Sequence, residues 1–149
     1  DHIGIVFQGF HLIPTMTGLE NVALPLEFAG RGDAFELAEA ALGRVGLGHR
    51  VGHYPAQLSG GEQQRVAVAR AFVGQPKLML ADEPTGNLDG STGKQVMDLL
   101  FELARANGTT LILITHDMGL AERCDRMLRI ADGLLVADDR MRPAALAAQ

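Results

Sequence analysis

A chain of 149 residues, 47% of them apolar, is long enough for one domain with a real core. Its 18 acidic and 13 basic residues leave a net charge of -5, which provides no positive field for general nucleic-acid binding. The single cysteine, Cys124, excludes a disulfide framework and a CxxC metal knuckle, and no apolar run approaches the roughly 20 residues of a membrane span.

The opening DHIGIVFQGF lacks the basic-then-apolar order of a secretory leader. An aspartate so close to a core strand reads as the start of an incomplete chain. Ile3 to Phe7 is a short β-branched run that predicts a strand, closed by Gln8 and the loop GFHLIPTMTG. Thr17 and Glu20 stand at capping-box spacing, predicting a helix from Leu19 to Phe28 that AGRGD breaks. Asp33 to Val45 predicts a second helix, with Phe35, Leu37, Ala38, Ala41, Leu42 and Val45 as its apolar stripe and Gly46 and Gly48 at its end. A loop through Tyr54 and Pro55 leads to LSGGEQQRVAVARAF, predicted helical from Gly61 to Phe72.

Leu78 to Ala81 is an unbroken apolar run that ends in two carboxylates, Asp82 and Glu83, and is stopped by Pro84. Ser91 is placed to cap a helix that runs to Ala106, with Val96, Leu99, Leu100 and Leu103 on its apolar side and Asn107-Gly108 closing it. TTLILIT, Thr109 to Thr115, has the pattern of a strand buried on both faces. HDMGLAERC predicts a short helix, RMLRIADGLLVAD a hairpin turning at Asp132-Gly133, and Arg142 to Ala148 a small terminal helix. Buried strands alternating with helices predict an α/β domain with a mostly parallel sheet, and residues 19–72 form a largely helical insert without a strand. The sequence contains no internal repeat and no low-complexity segment.

Five places carry candidate chemistry. Ser59 and Glu62 have capping-box spacing, and the intervening Gly60 and Gly61 clear side chains from a helix start whose amides and dipole favour an anion. The same residues also read as an ordinary glycine-softened cap. Asp82 and Glu83 end a buried strand, at the edge where open α/β sheets bind ligands. Adjacent carboxylates there call for a cation such as Mg²⁺ on one, while the other can orient or deprotonate a water; a solvated acidic pair is the plainer alternative. His116 follows the second buried strand and, if the two strands are neighbours, leaves the sheet on the same edge as Glu83. It could hold a water or a phosphate oxygen, or be merely polar. Gln8 ends the first strand, where its amide oxygen could ligate Mg²⁺ or a water. Asp89, in GNLDG, sits in a tight loop where aspartate is usually a cap. His2, His11, His49 and His53 have no ligand spacing with any cysteine, so no zinc site is expected.

Taken together, these stretches resemble the nucleotide-binding domain of ATP-binding cassette (ABC) transporters. LSGGEQQRVAVARA resembles the family signature motif, LMLADE the Walker B strand, GNLD the D-loop, ITHD the segment with the switch histidine, and GIVFQ the Q-loop strand. The five occur in the family's order and span essentially the whole chain. FQGFHLIPTMTGLENVALPL and ADEPTGNLD are most similar to bacterial ATPases of the lipoprotein-releasing and macrolide-efflux type; Asn87-Leu88 stands where the commoner D-loop has Ser-Ala. The resemblance implies a partial P-loop NTPase fold: a Q-loop strand over 1–8, a helical signature subdomain over 9–73, and the remaining core over 74–149. It implies ATP and Mg²⁺ as ligands, and hydrolysis by in-line attack of water. Asp82 would help hold Mg²⁺ and Glu83 would polarise the attacking water. His116 would contact the γ-phosphate, and Gln8 would sense the metal. Ser59, Gly60, Gly61 and Glu62 would meet the ATP of an opposing copy, with Asp89 linking the two sites across a head-to-tail dimer. A transmembrane permease would be the other partner, placing the protein at the cytoplasmic face of a bacterial inner membrane.

One motif of the family is missing. No G-x-x-x-x-G-K-[ST] occurs, and GSTGKQ at 90–95 has the wrong spacing, has Gln95 where a hydroxyl is needed, and follows the acidic pair instead of preceding the Q-loop. The chain is therefore expected to be the C-terminal part of such a domain, inactive alone, with an exposed sheet edge and apolar faces prone to association. A truncated, non-catalytic dimerisation or regulatory module is an alternative, though intact Gln8, Asp82, Glu83 and His116 argue against it. An ATPase acting on DNA is another. Its coiled coils or large insertions have no room in the fifty or so residues between Gln8 and Ser59, and no nucleic acid is expected as a partner.

Overall fold

The computed structural model describes residues 3–141, which divide after Ile114 into two compact units. The first unit is built on a three-stranded parallel sheet of β1 (Ile3–Val6), β2 (Leu78–Asp82) and β3 (Thr110–Ile114), in the order β1-β2-β3. Its register pairs Val6 with Ala81 and Asp82 with Ile114. The two-residue period of a strand sends Val6, Met79 and Ala81 into the core beneath the helices. Gly4 lies on that face too, and a Cβ there would stand 2.6 Å from the Ala71 carbonyl, so only glycine lets the helical layer approach so closely.

The opposite face differs from the expectation for β3. Ile3, Ile5, Ile112 and Ile114 are 43–59% exposed. Parallel strands are apolar on both sides because they normally lie between two covering layers. Here the helices of the first unit cover one side, and the outward isoleucines remain in solvent.

Between β1 and β2 runs the helical insert, without a strand as predicted: α1 (Gly18–Phe28), α2 (Ala34–Arg44), 3₁₀ turns at Gly48–Arg50 and Pro55–Gln57, and α3 (Gly60–Phe72). The Thr17 and Glu20 capping box forms, with the Thr17 amide donating to Glu20 Oε2 at 2.7 Å. The first amides of α1 are satisfied by the following chain, Gly18 N–H by the His53 carbonyl and Leu19 N–H by that of Val51. α2 ends where Gly46 takes φ +76°, letting the Leu47 amide reach back to the Leu42 carbonyl.

α4 (Gly90–Ala106) buries Val96, Leu100 and Leu103, with Leu99 half-buried. Its cap is Asp89, as the plainer reading of GNLDG has it, and not Ser91: Asp89 Oδ1 accepts the amides of Ser91 and Thr92, and the Ser91 hydroxyl donates to the same oxygen. An aspartate two residues earlier outcompetes serine because its charged oxygen can take several donors at once.

In the second unit, α5 (Met118–Ala121) is a single turn capped by Asp117, shorter than HDMGLAERC suggested. β4 (Arg126–Ala131) and β5 (Leu134–Arg140) form the antiparallel hairpin. Asp132 and Gly133, with φ +50° and +77°, make the tight turn their sequence predicts. Arg126 holds Asp138 through two nitrogens at 2.7 and 2.6 Å. The helix expected at Arg142 to Ala148 lies outside the described residues. Among the described residues, no helix is long and apolar enough to cross a membrane.

Candidate functional site

The parallel pairing of β1 and β2 decides which residues share an edge. Both strands end on the same side of the sheet, so Gln8, Asp82 and Glu83 all leave it at its C-terminal edge. Asp82 is exposed and Glu83 half-buried. Glu83 has φ +43°, in the left-handed region that costs a non-glycine residue about 1 kcal/mol. That conformation is held by its amide, which donates to the Ile114 carbonyl at 2.9 Å, and by its carbonyl, which accepts the Gly86 amide at 3.0 Å. Gln8 lies across the same turn. Asn87 Nδ2 donates to the Gln8 carbonyl at 3.0 Å, and Gln8 Nε2 donates to Asn87 Oδ1 at 3.4 Å. A Cβ on Gly86 would stand 2.5 Å from Gln8 Nε2, so a glycine there gives the glutamine its seat.

The α3 N-terminus is built as its capping box predicts, starting one residue earlier, at Gly60. The Glu62 amide donates to Ser59 Oγ at 3.3 Å, and the Ser59 amide to Glu62 Oε2 at 2.8 Å. The Ser59 amide is the main reason the Glu62 carboxyl lies below the usual carboxylate range; the Ser59 hydroxyl and the Arg50 and Arg65 charges act in the same direction. Helix geometry gives the amides of Gly60 and Gly61 no intrahelical acceptor. The two glycines differ in surroundings. Gly60 is half-exposed, whereas Gly61 is buried, and a Cβ on it would lie 2.4 Å from Thr92 Cγ2. Beside Ser59 and Gly61 opens a cavity of about 380 Å³, lined also by Arg44, Arg65, Thr92 and Gln95.

Asp89 faces the first turn of α4. Hydrogen bonds from Thr92 and Ser91 hold its carboxyl far below the ordinary aspartate range. His116 belongs to the second unit, just before Asp117, whose amide donates to Thr115 Oγ1 at 3.0 Å. Among the described residues no group of three or more His, Cys, Asp or Glu gathers to hold a metal.

Several residues that position this edge lie within the quoted motif stretches without having been singled out as site residues. Buried Gln64 reaches from α3 to the backbone carbonyls of Phe7 and Pro84. Arg70, whose burial lowers its pKa, holds the loop after Gln8 through the carbonyls of Phe10 and His11. Asn21, fully buried, ties the loop at Ile13, Met16 and Thr17 to α1. Besides their place in those stretches, their sequence signal is a polar residue on a helix face that is otherwise apolar.

A model described as ABC transporter matches residues 1–86. The chain belongs to the ABC transporter family. Similar family members include the uncharacterized ABC transporter ATP-binding protein YbbA of Escherichia coli K12, 59% identical over 90% of this chain. They also include the lipoprotein-releasing system ATP-binding protein LolD of Shewanella denitrificans, 51% identical over 94%. The macrolide export ATP-binding/permease protein MacB of Rhodopirellula baltica is 48% identical over 97%. The chain spans 60% of the YbbA sequence, 61% of LolD and 22% of MacB. Among solved structures, the ABC cassette MJ0796, described as a dimeric post-hydrolysis state bound to ADP and Pi, superposes with a TM-score of 0.83 at 42% identity, covering 95% of this chain and 64% of that one. The ABC fold expected from the motifs is thus present here as a mostly parallel core sheet, a helical subdomain and a C-terminal hairpin.

Proposed function

We propose that this chain is part of the ATP-binding and hydrolysing subunit of a bacterial membrane transporter of the lipoprotein-releasing or macrolide-export type, working at the cytoplasmic face of the inner membrane. The observation that carries the reading is the shared C-terminal sheet edge of Gln8, Asp82 and Glu83, with Glu83 held in a left-handed backbone conformation. Nonglycine residues in that region cluster at functional sites.

The donor set fits the metal. Asp82 and the Gln8 amide oxygen are hard ligands, and Mg²⁺ takes one or two such protein groups while keeping water and phosphate for the rest. Bound there, the ion would offset negative charge on phosphate oxygens. Glu83 orients a water toward the γ-phosphorus and accepts its proton, and His116 donates to a γ-phosphate oxygen. Ser59 and Gly60, the accessible part of the α3 N-terminus, meet the γ-phosphate of an ATP on a second copy, with Gly61 and Glu62 shaping that end. Arg44 and Arg65 in the adjoining cavity favour an anion there; the Glu62 carboxylate, drawn back onto the Ser59 amide and Arg50, opposes it. Asp89 links the paired sites, and the helical insert passes closure to a permease.

The chain contains no G-x-x-x-x-G-K-[ST] loop to grip the β- and γ-phosphates. Calorimetric titration of the 149-residue chain with Mg·ATP is expected to give no saturable binding up to millimolar nucleotide and no hydrolysis. Tight binding at one site per chain would mean that another segment supplies the phosphate cradle, and would overturn this division of labour.

A further inference from the structure

The paired strands β1 and β2 separate at a definite point. Their last paired residues are Val6 and Ala81. Beyond it Phe7, one residue past β1, and Pro84, two past β2, lie outside the ladder, and their carbonyls take other partners. One side chain serves both. Gln64, fully buried in α3, donates from Nε2 to the Phe7 carbonyl at 3.1 Å and to the Pro84 carbonyl. An amide NH₂ has two hydrogens, and both are used.

The neighbours of those carbonyls give the contact its meaning. Phe7 immediately precedes Gln8, and Pro84 immediately follows Glu83. The Pro84 carbonyl lies in the turn that keeps Glu83 at φ +43°. Gln64 itself is two residues after Glu62, on the helix whose first turn carries Ser59, Gly60 and Gly61. Its orientation is forced, since turning the amide over would aim oxygen at two carbonyl oxygens. The consequence is a buried Oε1 without a hydrogen-bond partner. A packing residue would carry no such orphan, so the donors, not the volume, account for a glutamine at this position.

We propose that Gln64 is a positioning residue that ties the α3 N-terminal region to the Phe7 and Pro84 carbonyls, the backbone flanking Gln8 and Glu83. The helix cannot shift along the sheet edge and keep both bonds unless Phe7 and Pro84 move with it. The catalytic meaning of this tie rests on the roles proposed above for Gln8 and Glu83, but the tie itself can be read without nucleotide.

Amide hydrogen exchange followed by NMR on the 149-residue chain tests it. In the wild type, both Gln64 side-chain protons should exchange at least tenfold more slowly than those of exposed Gln95. Gln64→Glu keeps the shape and removes both donors; Gln64→Met keeps the approximate volume without either donors or charge. Both variants should move the Gln8 amide resonance, which shares its peptide group with the Phe7 carbonyl, and should raise exchange tenfold or more at the hydrogen-bonded amides of Glu83 and Gly86, with Gln64→Glu the stronger, while amides of α1 and α2 stay within twofold. Changes confined to α3, or to only one of the two segments, would overturn the proposal, as would a Met variant that leaves both segments unchanged. If the variants fail to fold, the wild-type side-chain exchange decides alone, fast exchange being the negative result. A failed Mg·ATP titration leaves this outcome untouched, and rapid Gln64 exchange leaves the nucleotide reading untouched.

Discussion

Gly60 and Gly61 are neighbours in one motif and differ in what a methyl group would meet. At Gly60 the nearest atoms, on Leu88 and Phe10, stand at an ordinary 3.5 Å. At Gly61 a Cβ would be driven into Thr92 Cγ2. Gly60→Ala is therefore expected to leave stability unchanged or raise it by up to about 1 kcal/mol through helix propensity. Gly61→Ala should lower it by about 1–3 kcal/mol through overpacking. Thr92→Ser removes the obstructing methyl and keeps the hydroxyl, so the double variant should recover most of that loss. Urea denaturation of the four proteins measures this, and no recovery in the double variant would place the strain elsewhere. The glycine pair was legible as a helix start, but the unequal reasons for its two members were not, because Thr92 approaches Gly61 only once α3 and α4 pack.

At the scale of elements, α1 shows how caps and a buried amide hold a segment that carries a helix breaker. Pro25 lies inside this helix, where it supplies no amide hydrogen. The Thr17 box fixes the start, and Asn21 binds the preceding loop, accepting from the Ile13 amide at 2.8 Å and donating to the carbonyls of Ile13, Met16 and Thr17. Asn21→Leu removes the partner of the Ile13 amide and of the Met16 carbonyl in a buried setting, each worth roughly 1–3 kcal/mol, while the Ile13 and Thr17 carbonyls keep the Met16 and Asn21 backbone amides. The expected loss is about 3 kcal/mol in urea unfolding; a loss under about 1 kcal/mol would mean that water replaces the side chain. Element boundaries followed from local chemistry at Thr17, Ser59, Gly46 and the Asp132-Gly133 turn. The sequence offers both Ser91 and Asp89 as caps for α4, and the geometry around Thr92 selects Asp89.

For the whole molecule, the outward sheet face is the main physical consequence. Four isoleucines from β1 and β3 lie on a face the helices leave uncovered. Apolar surface of that kind drives association. Sedimentation velocity of the chain should show concentration-dependent self-association. Ile5→Lys with Ile112→Lys should suppress it and change the unfolding midpoint little, because both positions are 43–47% exposed. Persistent association of the double variant would move the contact to another surface, such as the hairpin, where Ile130 and Leu134 are also exposed.

Periodicity and turn chemistry are local, and they determined the α/β class, the helical insert, the hairpin and the order of the family motifs. Those motifs named Gln8, Ser59, Asp82, Glu83, Asp89 and His116 because chemistry-bearing residues at strand ends and helix starts are visible in one dimension. What only the tertiary structure decided is who meets whom. The side-by-side exit of β1 and β2, the pairing of Gln8 with Asn87, the seat of Thr92 on Gly61 and the reach of Gln64 to Phe7 and Pro84 each join residues far apart in the chain. A hydrogen-bond partner is chosen by three-dimensional proximity and by the need to satisfy every buried polar group, and neither is written in the spacing of residues along the chain.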